Sequence, residues 1–178
     1  MRTIQAHFII QSQVDGDYIL KQIELAGRTA YKSEDKITPD SAKDFVKMIH
    51  GRGHLSVIEH QFVTVRIICD RGVSHEIVRH RLASYTQEST RYCNYTKGKF
   101  GSEITVIEPC FWTQDDERYK VWKQTIEQIE AGYNKLIELG ATPQEARSVL
   151  PNSLKTEIVM TMNLREWRHF FTLRTSKA

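Results

Sequence analysis

Apolar residues gather at Ile4 to Ile10, then recur at helical intervals through Tyr18, Ile19, Ile23, Leu25 and Ala26. The pattern predicts a strand followed by a helix over Asp17–Tyr31. Thr38-Pro39-Asp40 reads as a helix start, with Thr38 as N-cap and Pro39 at the first helical position. That helix would pass through Phe45, Val46 and Ile49 and end at Gly51 or Gly53. The β-branched run Gln61–Asp70 (QFVTVRIICD) is the clearest strand. A short helix over Gly72–Arg81 should follow, then a polar, aperiodic loop from Ala83 to Tyr92. Ile104–Glu108 reads as a strand closed by Pro109. Asp115–Leu139 is the longest predicted helix, with Tyr119, Trp122, Ile126, Ile129, Tyr133, Leu136 and Ile137 along one side and Gly140 as its terminal glycine. Thr142-Pro143 opens another helix that stops before Pro151; Lys155–Asn163 then reads as a strand and Leu164–Leu173 as a final helix. No repeat or linker interrupts this order, which predicts a single α+β domain over residues 1–178.

Composition adds little beyond this. Hydrophobic residues make up 40% of the 178 and charged residues 26%, ordinary for a globular chain that needs neither disulfides nor a structural metal. The net charge of +3 neither demands nor excludes an anionic partner. Cys69, Cys93 and Cys110 are scattered, without a C-x-x-C pair, which suits free thiols in a reducing compartment. No signal-like N-terminus and no membrane-length apolar run is present, so the expected location is cytoplasmic, with no membrane partner.

The chemistry concentrates in Arg79–Arg91 (RHRLASYTQESTR), with three arginines, a histidine and a run of hydroxyl and amide groups. Guanidinium forks grip phosphate oxygens in pairs, and hydroxyls and backbone N–H groups can complete such a site. On a helix, Arg79 and Arg81 would point about 160° apart and address separate groups. A solvated basic helix end is the competing reading of the same residues.

The string Arg79-His80-Arg81, seven residues, then Ser89 resembles the R-H-R-x7-S signature of the flavin-dependent thymidylate synthases, the ThyX family. Ala83-Ser84-Tyr85 and Ser89-Thr90-Arg91-Tyr92 continue the likeness. Gly53-His54-Leu55-Ser56-Val57-Ile58-Glu59-His60 resembles the family's G-H-x-[ST]-x-x-E-H segment, and Glu145 to Pro151 its E-x-A-R-x-x-L-P helix end. Asn163-Leu164-Arg165 and Leu173-Arg174 resemble its N-x-R and L-R elements, so the chain is identified as a member.

The resemblance implies a mainly antiparallel sheet flanked by helices, and a homotetramer with active sites shared between chains. It implies FAD as cofactor, with NADPH and methylenetetrahydrofolate as co-substrates and dUMP as substrate. FAD would be held by Ser56, Arg79, His80, Arg81, Gln87, Asn163, Leu164, Arg165 and His169. The dUMP pocket would draw on Glu76, Ile77, Val78, Arg79, Gln87, Glu88, Ser89, Thr90, Arg91, Arg147 and Arg174. Thr86-Gln87 stands where the family often has Asn-Glu, and His169 where it also has Asn. One further helix is expected beyond Ala178. In the implied chemistry the reduced flavin delivers hydride, and no enzyme nucleophile is required.

Arg174 also stands out without the resemblance. On an extended last helix it falls about 180° from Arg165, on the side of Trp167, Phe170 and Phe171. A buried guanidinium there would need an acid, carbonyls or a ligand. The resemblance assigns it to the uracil ring as the catalytic residue, stabilising charge that develops at N3.

Two other classes compete. His75-Glu76-Ile77-Val78-Arg79-His80 nearly reads as the H-E-x-x-H of a metalloprotease, but the i, i+5 spacing turns the histidines about 140° apart, so no metal is expected. A small basic nucleic-acid-binding domain would use the basic helix end with Tyr85, Tyr92, Tyr95, Lys97 and Lys99. The balanced charge argues against nucleic acid as a partner.

Overall fold

The computed structural model describes residues 1–93, 95 and 103–176. Its strands are β1 (Arg2–Ile4), β2 (His7–Ile10), β3 (Phe62–Asp70), β4 (Ala83–Gln87), β5 (Thr105–Ile107) and β6 (Lys155–Asn163). Its helices are α1 (Gly16–Tyr31), α2 (Ser41–Gly51), α3 (Arg71–Ile77), α4 (Glu117–Glu138), α5 (Pro143–Ala146) and α6 (Leu164–Arg174). Four strands form one sheet in the order β2-β3-β6-β4, and β1 pairs in parallel with β5 as a second, two-stranded sheet. β3 and β6 run antiparallel: Leu164 N–H donates to the Gln61 carbonyl at one end and Arg71 N–H to the Leu154 carbonyl at the other, at 2.9 and 3.1 Å.

The chain forms two compact units. The first holds residues 1–8, 67–79 and 86–158. Its core of Tyr95, Ile104, Val106, Ile126, Tyr133, Ala146 and Leu154 is closed by the expected stripe of α4, including Trp122, Ile129, Leu136 and Ile137. Gly140 ends that helix region at φ +93°, where a side chain would be strained. α5 starts on a full capping box, Thr142 accepting from Glu145 N–H while the Glu145 carboxylate accepts from Thr142 N–H.

The second unit holds residues 9–66, 80–85 and 159–178. α1 and α2 pack through Ile23, Gly27, Ala42, Phe45 and Ile49. The predicted face of α1 is shifted: Tyr18 and Leu25 are exposed, and Glu24 is buried in their stead. Glu24 is satisfied by Arg28, at 2.9 Å, and by the Ser41 hydroxyl, also at 2.9 Å. The same hydroxyl accepts from Thr38 N–H, so the turn at Thr38–Asp40 closes on Ser41. α2 therefore begins at Ser41 rather than at Pro39.

Three other expectations change. The first strand is broken at Gln5-Ala6 into β1 and β2. α3 stops at Ile77, so Arg79, His80 and Arg81 lie beyond it and the helical angle between the two arginines does not apply. Ala83–Gln87, expected as loop, is strand β4 beside β6; its hydrogen bonds come from a distant segment and leave no periodicity in the local sequence.

Candidate active site

In the first unit the residues from Gln87 to Arg91 are placed by side-chain contacts with α3, α5 and β6. Gln87 Nε2 donates to Ser74 Oγ at 2.9 Å and to Thr156 Oγ1 at 3.2 Å, both hydroxyls fully buried. Its amide nitrogen is thereby committed inside the protein. Glu88 N–H donates to the Glu157 carbonyl, and the Glu88 carboxylate takes Lys155 Nζ at 2.9 Å. Burial alone would lower the Lys155 pKa, but its hydrogen bonds to Glu157 and Glu88 outweigh that and hold it above the ordinary value. The Glu88–Lys155–Glu157 cluster is a buried-side ion network that sequence reading missed, because Lys155 lies 67 residues from Glu88.

Ser89 and Thr90 form the turn that follows. Thr90 is buried, and its Oγ1 accepts from Arg147 at 3.3 Å. Arg91 donates from Nε to Gln144 Oε1 at 3.1 Å and lies over the Tyr92 ring at 5.5 Å. Two exposed guanidinium groups thus attach to one turn, each held by a neutral partner. Among the described residues no carboxylate pairs with either guanidinium, which suits an anion. Glu76 on α3 and Val78 and Arg79 just beyond it are at the surface, whereas the Ile77 side chain is buried in the core and could offer a ligand only its backbone.

In the second unit Asn163 caps α6, its Oδ1 accepting from Glu166 N–H at 2.8 Å. Asn163, Arg165 and His169 line a groove of about 570 Å³ together with Leu55, Glu59, Leu82, Glu166, Arg168 and Thr172. Ser56 adjoins this groove in sequence through Leu55, and Arg81 through Leu82. Leu164 sits at the helix start, its N–H on the Gln61 carbonyl. Glu59, absent from the expected site, pairs with Arg165; its place in the G-H-x-[ST]-x-x-E-H segment was the available signal. Leu82 stands at φ +62°, a left-handed conformation that costs a non-glycine residue roughly 1–2 kcal/mol.

Arg174, expected on the apolar side of the last helix, is exposed, and His80 is buried. The aromatic side of α6 stacks on itself, Trp167 against Phe170 and Phe171, and Phe171 remains 54% exposed. Trp167 is tied inward by Nε1 to the Val63 carbonyl at 3.1 Å, and Phe170 lies against the His80 ring at 4.8 Å. Arg174 Nε donates to His80 Nε2 at 2.9 Å, and the Tyr85 hydroxyl donates to the His80 carbonyl at 2.7 Å. Burial lowers the His80 pKa, and the Arg174 charge lowers it further against the pull of Glu166.

α3 ends before His80, so His75 and His80 share no helix. Tyr95 is a core residue packed on Tyr133 at 5.8 Å and offers no stacking surface, while Lys97 and Lys99 lie outside the described residues. No described helix is long and apolar enough to cross a membrane.

Comparison with known proteins agrees with the motifs. A family model for thymidylate synthase complementing protein matches residues 17–178. The flavin-dependent thymidylate synthase of Pyrococcus furiosus is 38% identical over 149 residues, 83% of this chain and 60% of the relative. That of Geobacter sulfurreducens is 35% identical over 159 residues, 85% and 67% of the two chains. That of Mycolicibacterium vanbaalenii is 34% identical over 181 residues, 92% and 70% of the two chains. The chain spans about 60% of the length of the Pyrococcus relatives it matches. In fold it is similar to the UMP/dUMP methylase PolB from Streptomyces cacaoi, solved with 5-Br dUMP. The TM-score is 0.77 at 21% identity, over 96% of this chain and 79% of that one. The match runs through every motif from Gly53 onward, and the chain belongs to the thymidylate synthase complementing protein family.

Proposed function

We propose that the protein is an FAD-dependent thymidylate synthase that methylates dUMP to dTMP, with methylenetetrahydrofolate as carbon donor and NADPH as reductant. The observation that carries this reading is the Ser89–Thr90 turn with Arg91 and Arg147 attached to it, two guanidinium forks on neutral partners. That is a receptor for the phosphate of a nucleoside monophosphate. The family's named members and the fold likeness to a dUMP methylase support the same substrate.

FAD would bind in the groove of the second unit. Arg168, and Arg165 shared with Glu59, bring positive charge, the amino end of α6 brings its dipole, and Leu55 and Leu82 bring apolar surface. Asn163, Leu164, Arg165 and His169 would hold the cofactor there, with Ser56, His80 and Arg81 beside them; the resemblance adds Arg79 to the flavin residues. FAD, when bound, supplies the reducing equivalents that complete the methyl group. Arg174 faces the developing negative charge of the uracil ring, and the protein otherwise positions and desolvates its ligands. No cysteine is needed; burial pushes the Cys69 thiol up to about 11, which leaves it protonated and weakly nucleophilic at neutral pH. The working form is a cytoplasmic homotetramer with sites shared between chains.

Purified protein should show flavin bands near ~375 and ~450 nm. Arg147→Ala should weaken dUMP binding by about tenfold while leaving deoxyuridine binding unchanged, because only the nucleotide carries the phosphate. Protein that neither carries nor takes up FAD, or that loses both ligands equally on Arg147→Ala, would count against the assignment.

A further inference from the structure

The contact between His80 and Arg174 has a chemical direction. Arginine can only donate, so a bond from Arg174 Nε at 2.9 Å requires His80 Nε2 to be unprotonated. The ring is therefore the neutral tautomer with its proton on Nδ1. We propose that neutral His80 is the positioning residue for Arg174: by accepting the Nε–H it orients the guanidinium plane for the ring of the bound nucleotide, and protonation of His80 breaks that bond. The proposal deepens the function given above and rests on it for the nucleotide, but not for the pairing itself.

The surroundings make His80 a fixed post. The ring is buried, lies 4.8 Å from Phe170 and 6.3 Å from His169 between centroids, and its backbone carbonyl is tied to the Tyr85 hydroxyl. Arg174 stands on the exposed last turn of α6, and the bond to His80 restrains its long side chain. The ionisable groups facing His80 are Arg174, Glu166 and His169 from α6 and Tyr85 from β4. Glu166 favours the imidazolium; burial, Arg174 and His169 oppose it, and together they hold the pKa below the ordinary 6.5. The neutral acceptor is thus fully present above pH 6.5 and is lost as the pH falls through the lower folded-state value. A protonated ring would both lose the bond and place two cations together.

The test has two arms on the full-length, FAD-loaded protein. Nitrogen NMR of wild type without substrate, between pH 5 and 8, reads the His80 ring and the Arg174 Nε–H directly. Above pH 6.5 Nε2 should show the shift of an unprotonated acceptor, and the Arg174 signal should move with the same midpoint as the ring. A protonated Nε2, or an Arg174 signal that ignores His80, overturns the pairing whatever the enzyme does. In the second arm, dUMP affinity and single-turnover flavin oxidation are measured against pH. His80→Gln places an amide oxygen where Nε2 stood, an acceptor that does not titrate. Wild type should lose dUMP affinity and rate on the acid side, His80→Gln should abolish that limb, and His80→Ala should lose about tenfold at every pH. An acid limb that persists in His80→Gln, or an unchanged profile in His80→Ala, refutes the positioning role. Failure of wild type to bind dUMP at all would instead refute the function above, with the NMR result still deciding the pairing.

Discussion

Arg174 tests whether the shape of a side chain or only its charge carries the chemistry. Lysine keeps the positive charge but loses the planar fork and the Nε donor that meets His80. Since Arg174 lies at the surface, Arg174→Lys should leave the melting temperature and FAD binding close to wild type. Single-turnover oxidation of reduced flavin by dUMP and methylenetetrahydrofolate should fall by about a hundredfold, roughly 3 kcal/mol of transition-state stabilisation. A lowered melting temperature with unimpaired oxidation would make the residue a structural partner. Gln87 shows the opposite situation: its amide donates to two buried hydroxyls, so its position follows from packing as much as from any ligand.

Among the elements, α1 and α2 approach closely at Gly27. A Cβ on Gly27 would stand 2.6 Å from Phe45 Cε1 and 2.9 Å from Cζ. The Phe45 ring is buried and covered by the Arg28 guanidinium at 4.3 Å, which limits its freedom to move aside. Gly27→Ala would gain about 1 kcal/mol of helix propensity. Overpacking against a held ring costs about 1–3 kcal/mol, so the variant should be less stable overall by about 1 kcal/mol. Urea unfolding measures this, and a stability equal to or above wild type would mean that Phe45 moves freely. The neighbouring Glu24–Arg28–Ser41 cluster belongs to the same packing, because a carboxylate buried to 1% exposure is tolerated only when its oxygens are bonded.

At the scale of the whole molecule, the proposed nucleotide-phosphate residues lie in the first unit, and Arg174 with the proposed flavin residues other than Arg79 and Gln87 lies in the second. The homotetramer in the proposed function predicts that different chains complete one site. Mixing Arg91→Ala protein with Arg174→Ala protein should then restore part of the activity that each lacks, in proportion to hybrid tetramers formed. Activity that stays at the level of the separate variants, despite subunit exchange seen by mass spectrometry, would place each site within one chain.

What the sequence determined by itself was local or carried by motifs. The stripe of α4, the glycine after it, the Thr142 cap and the strand Lys155–Asn163 arise from periodicity and caps within a few residues, and each stands where the pattern put it. The motif residues were legible through the resemblance. Tertiary structure decided the rest, because the deciding partners are far away in the chain. β4 exists through pairing with β6, the start of α2 is set by a hydroxyl shared with Glu24, and Glu59 meets Arg165 across 106 residues. Arg174 finds His80 across 94, and burial went to the imidazole rather than the guanidinium because a neutral ring costs far less to remove from water than a cation.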